Sequence, residues 1–333
     1  MSTLATVKPW GRTIGAVALE EGSSSAAFEY DPAFVRSGIE IAPLTMPLGR
    51  RVCRFPELPV NTFYGLPGLL ADSLPDKFGH ALTAAQKGKA LLDFPRVGTS
   101  AGGARAKAIV AWHPDTNEVR SGRVLVGKGF EHWLLKFDGV RGNRDKGLEE
   151  KGRRHFMTRR FDRLADVSKL HMLSLCAMAH FDFNMAGAYG YERALLVIRR
   201  LGLPMEAVEQ QYRRMVFNII AHNQNDHVKN VAFLMDKTGK WSLSPAYDVT
   251  FSYNPSGAWT ASHQMTLNGK RNQFLMDDFR ACARSAAMKR GRAEAIVEEV
   301  RKVASRWREY ADAAGVPAMF RDHIHKTLRL RPF

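Results

Sequence analysis

The spacing of apolar residues changes along this chain, from short runs separated by turn residues to long stretches with helical spacing. In the first 95 residues, runs such as residues 13–19 and 26–30 are separated by Gly and Pro, which predicts short β-strands. From Lys169 onward the spacing becomes helical. A β-rich part followed by a helical part predicts an α/β (α+β) protein with two lobes.

Further elements are predicted from the same patterns. Four more apolar runs have the length of strands: residues 108–112, 124–126, 133–137 and 156–161. Helical spacing is present in four segments: residues 77–89, a stretch through Leu195 that ends at Gly202, residues 205–222, and a long region 286–314 closed by Gly315 and Pro317.

Composition excludes several protein classes and suggests a partner. With 333 residues, of which 45% are hydrophobic and 25% charged, the chain is globular and long enough for two cores, and not collagen-like, coiled-coil or disordered. The 49 Lys and Arg residues outnumber the 33 Asp and Glu residues, so the net charge is +16 and a polyanion such as nucleic acid is the simplest partner. The cations after residue 284 suit either a solvated helix face or phosphate contacts.

Cysteine usage and hydropathy predict a cytoplasmic protein with no membrane association. Cys53, Cys176 and Cys282 are far apart and form no CxxC pair, which supports neither a disulfide framework nor a zinc site. The N-terminus lacks the apolar core of a signal peptide. The most apolar stretch, residues 170–183, contains two His and one Asp and is too short to span a bilayer.

The segment with the strongest chemical signature is residues 222–234, followed by a Pro-Ala-Tyr-Asp turn that ends at Asp248. Phosphoryl transfer needs a carboxylate to orient the attacking hydroxyl, an Asn and an Asp to hold Mg²⁺, and a lysine on the phosphates. In the kinase pattern HRDxxxxN the base lies five residues before the metal-binding Asn, and Asn230 places that position at Asn225. The alternative is a polar loop whose side chains cap their own turns.

A Gly-rich segment at residues 98–103 precedes the run at 108–112. It lacks the GxxxxGK[ST] pattern, which disfavours a P-loop NTPase. Its glycines can direct backbone N–H groups toward phosphate oxygens, with Lys107 and Lys136 on flanking strands. A simple hairpin turn is the alternative. His180, His222 and His263 show no metal-binding spacing and are predicted to be core or helix-end residues.

On these residues the chain resembles the HipA family of toxin serine/threonine kinases, which carry a DxHxKN catalytic loop and a PxYD metal-binding turn. Five further segments resemble family blocks: residues 10–15, 66–79, 100–107, 132–136 and 263–269. The resemblance implies a kinase-like fold, with an N-terminal β-rich subdomain over residues 1–95, an ATP-binding small-lobe core over 96–140 and a helical C-lobe over 141–333.

The resemblance also implies roles for individual residues. Lys136 would bind the ATP phosphates, His227 and Tyr247 would lie beside the nucleotide, Asn230 and Asp248 would hold Mg²⁺, and Ser100 would be a regulatory phosphosite. The remaining nucleotide-binding residues would be those of the phosphate loop and its flank: Ser100, Ala101, Gly102, Gly103, Ala104 and Lys107.

Two departures from the family pattern affect this prediction. The family's catalytic Asp is Asn225 here, and an amide cannot accept a proton, which predicts crippled transfer in either a naturally silent or a deliberately inactivated kinase. The adjacent Asp226 has a carboxylate but lies one residue out of register. Between Asp138 and Glu150 there is also no room for the helix whose Glu pairs with the nucleotide lysine; Glu149 and Glu150 are the nearby carboxylates, but they are not predicted to replace it.

The resemblance implies transfer of phosphate from ATP to a serine of an aminoacyl-tRNA synthetase. It also implies a complex with a HipB-like helix-turn-helix antitoxin on operator DNA. Two alternatives remain open: a catalytically silent co-repressor that binds antitoxin and DNA, supported by Asn225 and the +16 charge, and a small-molecule phosphotransferase.

Overall fold

The computed structural model describes residues 3–74, 107–122, 126–136, 155–164, 166, 168–331 and 333. It divides the chain into two compact units. One unit combines Met1–Ala71 with Met172–Phe333, and the other is Asp72–His171. The predicted domain boundaries at 95/96 and 140/141 lie outside the described residues, as do the predicted helix at 77–89 and most of the run at 124–126.

The first unit begins with a three-stranded antiparallel sheet. Its strands follow chain order: β1 (Thr3–Val7), β2 (Gly15–Leu19) and β3 (Ala27–Tyr30). The strands predicted within residues 13–19 and 26–30 are therefore confirmed. Asp31 ends the sheet and starts a helix, because its carboxylate accepts hydrogen bonds from the N–H groups of Ala33 at 2.7 Å and Phe34 at 3.2 Å.

Three single-turn helices connect this sheet to the C-terminal part of the chain: α1 (Pro32–Val35), α2 (Val60–Phe63) and α3 (Gly68–Ala71). Phe28, Phe34 and Phe63 lie in the same buried cluster as residues beyond 172. At Gly68 the backbone comes so close to this part that an added Cβ would lie 2.6 Å from the carbonyl oxygen of Ala177. Only glycine fits this contact without a shift of backbone.

The second unit contains a four-stranded antiparallel sheet in the order β5-β4-β6-β7. The strands are β4 (Lys107–Trp112), β5 (Val119–Ser121), β6 (Glu131–Lys136) and β7 (Phe156–Arg159). They confirm the strands predicted at 108–112, 133–137 and 156–161. In the β4–β6 register, Lys107 is paired with Lys136, so these side chains lie on the same face of the sheet.

The C-terminal part begins with a strand where helical spacing predicts a helix. Residues His171–Ser174 form β8, which joins β9 (Ala232–Met235) and β10 (Trp241–Leu243) in the order β10-β9-β8. The prediction of helix from Lys169 is wrong over this strand. A buried apolar run of this length suits a strand or a helix, and the pairing with β9 decides. The Ser174 hydroxyl then caps the next helix by accepting from Ala177 N–H at 3.3 Å.

Seven helices complete the described part of this region: α4 (Leu175–Ala179), α5 (Tyr191–Arg200), α6 (Met205–Ile220), α7 (Met276–Ser285), α8 (Arg292–Ser305), α9 (Trp307–Ala313) and α10 (Ala318–Thr327). The helices ending near Gly202 and covering 205–222 are confirmed. The predicted single helical region 286–314 is instead α8 and α9, because Gly291 with φ 81° precedes α8 and the chain turns at Arg306 between the two helices.

Helix α6 leads to the residues with the strongest chemical signature. Its stripe of Val208, Tyr212, Met215 and Ile219 is fully buried in the main core, with α5 and α8 packed on it. Phe217, which the sequence places on the same stripe, is only half-buried. No helix of the described ranges is both long and apolar enough to cross a membrane.

Candidate functional site

The candidate site is built on the loop that follows α6. The chain leaves the helix through His222, whose φ of 53° is in the left-handed region, and Asn223 forms an isolated parallel bridge with Ser252. A 3-10 turn at Val228–Asn230 then leads into β9. The predicted polar loop and the apolar strand after it are both present.

Asn225 is held through its side chain and through its backbone. Its side-chain oxygen accepts a hydrogen bond from the indole N–H of Trp259 at 2.7 Å. Its backbone oxygen accepts one from the amide of Asn230 at 2.9 Å. The residue at the position of the family's base is therefore fixed against the loop and partly exposed, whereas its amide oxygen remains a poor proton acceptor.

Asp226 points into the core and not toward solvent. It is 2% exposed. Its carboxylate accepts hydrogen bonds from the Tyr191 hydroxyl at 2.6 Å and the Gln264 backbone N–H at 2.7 Å, and it contacts His263 Nδ1 at 2.8 Å. With both oxygens bonded and buried, this carboxylate is placed to support the loop, which disfavours its use as a substitute base.

His227, Asn230, Tyr247 and Asp248 are brought together although seventeen or more residues separate the two pairs. The Tyr247 hydroxyl donates to the carbonyl oxygen of Lys229, which ties the Pro-Ala-Tyr-Asp turn to the 3-10 turn. Burial lowers the pKa of His227, with Asp248 acting in the opposite direction, so the imidazole is neutral near pH 7. Asp248 has φ 53°, a conformation that Asp tolerates better than most residues.

Asn230 and Asp248 fit the donor set that Mg²⁺ prefers. Because the Asn230 amide nitrogen donates to Asn225, the side-chain oxygen is directed away from that carbonyl and can coordinate a cation. One amide oxygen and one carboxylate suit a hard cation that keeps water and phosphate oxygens as its other ligands. Within the described ranges no group of three or more His, Cys, Asp or Glu residues is arranged to hold a metal alone.

The two predicted phosphate-binding lysines belong to the other unit. Lys107 and Lys136 are cross-strand partners, with Lys107 6% exposed. Their side chains therefore lie on the same face of this sheet. The remaining predicted members of the phosphate loop, Ser100, Ala101, Gly102, Gly103 and Ala104, lie outside the described residues, as do Glu149 and Glu150.

The three histidines are core or helix-end residues, as predicted. His263 is fully buried against Asp226. Burial lowers the pKa of His222 to about 3 and that of His180 to about 4. His180 ends α4 with φ 54°, and its Nε2 accepts a hydrogen bond from Gly68 N–H at 3.1 Å.

Sequence reasoning missed the residues that position the loop. Trp259 follows the Pro-Ala-Tyr-Asp turn by eleven residues, and neither its spacing nor its neighbours marks it as a partner of Asn225. Arg329 also escapes notice among the C-terminal cations, yet its Nη1 contacts His263 Nε2 at 3.1 Å. These contacts span 34 and 66 residues and are set by tertiary packing.

Comparisons with known proteins support the resemblance. A sequence model described as the HipA-like C-terminal domain matches residues 139–307, just over half of the chain, and one described as the HipA N-terminal domain matches residues 5–94. A solved complex of HipA, HipB and operator DNA from Shewanella oneidensis MR-1 contains a similar fold, with a TM-score of 0.63 and 13% sequence identity over 98% of this chain and 95% of that chain. No curated protein matches the sequence.

Proposed function

Because this chain belongs to the HipA family of toxins, we propose that it has the architecture of an ATP-dependent serine/threonine kinase whose phosphoryl transfer is crippled at position 225. The observation that carries the proposal is the junction between the catalytic loop and the Pro-Ala-Tyr-Asp turn. The bond from Tyr247 to Lys229 holds Asp248 next to the turn that contains Asn230. This arrangement supports binding of Mg²⁺ between the two residues.

Bound Mg²⁺ would neutralise the ATP phosphates and draw charge from the group being transferred. The residues of the chain would supply the rest. Asn230 and Asp248 would orient the cation, and neutral His227 would lie beside the nucleotide. The resemblance also implies that Lys136 would contact the phosphates. Asn225 can hold a substrate hydroxyl but cannot remove its proton.

The test is to restore the carboxylate with Asn225→Asp. A positioned general base contributes roughly 10²–10⁴-fold to transfer, so incorporation of labelled phosphate from ATP should rise by a factor in that range. The acceptors to assay are the chain itself, where Ser100 is the proposed phosphosite, and an aminoacyl-tRNA synthetase, which is the proposed substrate. Asn225→Asp with Asp248→Asn is the matched control, because it restores the base and removes a metal ligand. Incorporation no greater than in this control would count against the kinase proposal.

The same assay separates the two alternatives. A catalytically silent co-repressor would show no transfer in the Asn225→Asp variant, yet would still bind antitoxin and DNA. A small-molecule phosphotransferase would consume ATP with a sugar or antibiotic acceptor from a panel of such compounds. The toxin proposal expects turnover of none of them.

We further propose that a HipB-like antitoxin and operator DNA are partners, because the similar Shewanella oneidensis HipA was solved with both. Many C-terminal arginines are already paired with acids: Arg292 with Glu209 and Glu299, Arg280 with Glu294, and Arg321 with Asp312. Other exposed cations of this region, such as Arg284, Lys289 and Lys302, make no ion pair within the described ranges. If cations of this kind contact phosphates, DNA affinity should fall steeply between 50 and 200 mM salt, by roughly tenfold for every two or three phosphates that the chain contacts. A DNA affinity that does not change with salt concentration would contradict contact between this chain and DNA phosphates.

A further inference from the structure

The catalytic loop contacts an aromatic side chain that has no part in the proposed transfer. The ammonium Nζ of Lys229 lies 4.4 Å from the centre of the Phe183 ring, and the ring centres of Phe183 and His227 are 5.7 Å apart. All three side chains are half-buried. A cation over an aromatic face is attracted more strongly when water is partly excluded. Phe183 therefore contacts the two loop residues that lie one and three positions before Asn230.

The segment that carries Phe183 is a turn held by its own side chains. The Asp182 carboxylate accepts hydrogen bonds from the backbone N–H of Asn184 at 2.9 Å and from its side-chain amide at 3.1 Å. The backbone N–H of Asp182 donates to the Tyr189 hydroxyl at 2.9 Å. Asp182 is only 8% exposed, so water competes little for these bonds. The backbone on either side of Phe183 is therefore fixed, which limits where the ring can lie.

A side chain from the N-terminal part of the chain completes this turn. The Thr62 hydroxyl, in α2, donates to the Asp182 carboxylate and accepts from the Asn184 amide at 2.8 Å. A hydroxyl has one hydrogen and two lone pairs, so it can bond both neighbours at once. Thr62 lies within the residues that match the HipA N-terminal domain, whereas Asp182 and Phe183 lie within those that match the C-terminal domain.

Cohesion of the two parts does not require this arrangement. They are already joined where the Gly68 N–H donates to His180 and where the Trp241 indole N–H donates to the Glu40 carbonyl at 3.0 Å. General burial of apolar side chains does not explain the position of Phe183 either, because the nearby Met185 remains 53% exposed. The Phe183 ring is instead placed over a charged residue of the loop.

We propose that Phe183 and Thr62 are positioning residues for the catalytic loop. Phe183 holds Lys229 and His227 in the arrangement that receives the nucleotide, and Thr62 holds the turn that carries Phe183. The N-terminal domain thereby takes part in shaping the nucleotide site. The inference rests on the proposed function, because it takes His227 as a neighbour of the nucleotide.

The first test follows Lys229 and needs no nucleotide. Reductive methylation of the full chain with ¹³C-formaldehyde gives every lysine a pair of labelled methyl groups and keeps its positive charge. Protons over the face of an aromatic ring resonate upfield, so the Lys229 signal, assigned through Lys229→Arg, should lie upfield of the signals of exposed lysines. Phe183→Leu should abolish this shift, and Phe183→Tyr, which keeps the ring, should restore it. Thr62→Val, which removes the hydroxyl, should reduce the shift, and Thr62→Ser should restore it.

The second test is the affinity of the folded chain for Mg²⁺·ATP, measured by isothermal calorimetry. Phe183→Leu and Thr62→Val should each weaken binding by at least ~fivefold, because the loop residues beside the nucleotide lose their support. Phe183→Tyr and Thr62→Ser should regain the affinity of the unmodified chain. Phe320→Leu is the matched control, because that ring is 54% exposed on α10 and its loss should affect neither measurement. A residue that only stabilises the fold would lower the urea midpoint and leave both measurements unchanged.

Circular dichroism establishes that each variant is folded. If Thr62→Val does not fold, Asn184→Ala replaces it, since Asn184 is exposed and its amide donates to Thr62. Two results would overturn the proposal: a Lys229 signal that Phe183→Leu leaves in place, or an affinity for Mg²⁺·ATP that Phe183→Leu and Thr62→Val both leave unchanged. Failure of the unmodified chain to bind Mg²⁺·ATP would instead contradict the proposed function, and the Lys229 signal would then decide alone whether Phe183 positions the loop.

Discussion

Asn225 and Asp226 are adjacent in the chain, but their side chains lie in different environments. Asn225 is partly exposed and accepts from Trp259, whereas Asp226 is buried among Tyr191, Gln264 and His263. The two side chains leave the loop in different directions, and the carboxylate that is one residue out of register faces the core. This explains physically why Asp226 is a poor substitute for the family's base.

At the scale of single residues, we predict that Asp226→Asn destabilises the chain by about 2 kcal/mol. The replacement puts an NH₂ group where the buried carboxylate accepts from a hydroxyl and a backbone N–H, and leaves at least one donor unsatisfied. Urea unfolding followed by circular dichroism measures the change. Asp277→Asn is the control, because the Asp277 side chain is 84% exposed and its ion pair with Arg280 contributes little. Equal midpoints for the two variants would contradict a supporting role for Asp226.

At the scale of elements, the contact of α3 with α4 depends on two residues that allow close approach. Gly68 has no Cβ to meet Ala177, and the His180 Nε2 accepts from the Gly68 N–H at 3.1 Å. The imidazole also packs edge-on against Phe55 and Phe63. An imidazole nitrogen that accepts a hydrogen bond cannot carry a proton, so this contact requires neutral His180.

We therefore predict that this contact makes stability pH-dependent. Burial lowers the folded-state pKa of His180 to about 4, while the unfolded value is about 6.5. The unfolded state thus binds more protons between these values, and stability is lost as pH falls from about 6.5 to 4. His180→Asn, which tolerates the left-handed backbone, should reduce that loss by on the order of 2 kcal/mol.

The measurement is the free energy of unfolding at pH 7 and at pH 4, for the unmodified chain and for the His180→Asn variant. His325→Asn is a suitable control, because it removes a histidine from the last turn of α10 and leaves the contact of His180 with Gly68 intact, and its replacement should leave the difference between the two pH values nearly unchanged. If the His180→Asn variant loses as much stability on acidification as the unmodified chain does, the contact made by the neutral imidazole is not the source of that loss.

At the scale of the whole molecule, the last residues of the chain return to the catalytic loop. The backbone N–H of Arg329 donates to Ile220 at the end of α6, and its Nη1 donates to the Ile219 carbonyl at 2.6 Å. The same guanidinium contacts His263, which in turn contacts Asp226. Phe333 packs against Phe279 with ring centroids 4.7 Å apart. Residues more than 100 positions apart thereby support one loop.

We predict that Arg329→Gln lowers the free energy of unfolding by about 1.5–3 kcal/mol, the range for hydrogen bonds that involve a charged group. The partly buried guanidinium bridges α6 and His263, and the shorter amide reaches neither as well. Arg331→Gln is the matched control, since Arg331 is exposed two residues away and should change stability by less than about 0.5 kcal/mol. Chemical denaturation of both variants checks this, and similar losses would show that Arg329 has no special role.

The sequence alone determined the type of most described elements and the identity of the candidate metal-binding residues. Strand length, helical spacing and glycine stops are local signals, and the five-residue spacing between positions 225 and 230 survives in any fold that keeps the loop. These signals predicted β2, β4, β6 and α6, and singled out Asn230 and Asp248. Two assignments were wrong: β8 is a short buried run whose local pattern fits both structures, and the region 286–314 is two helices instead of one.

Only the tertiary structure decided what surrounds those residues. Trp259 on Asn225, His263 on Asp226 and Arg329 on His263 join positions separated by 34, 37 and 66 residues. A cavity beside the loop likewise combines α6, α8 and the turn after β10. A contact between distant residues leaves no period or spacing in the chain, because it depends on how complete elements pack. Local patterns therefore identified the candidate side chains, and packing determined which partners, charges and cavities surround them.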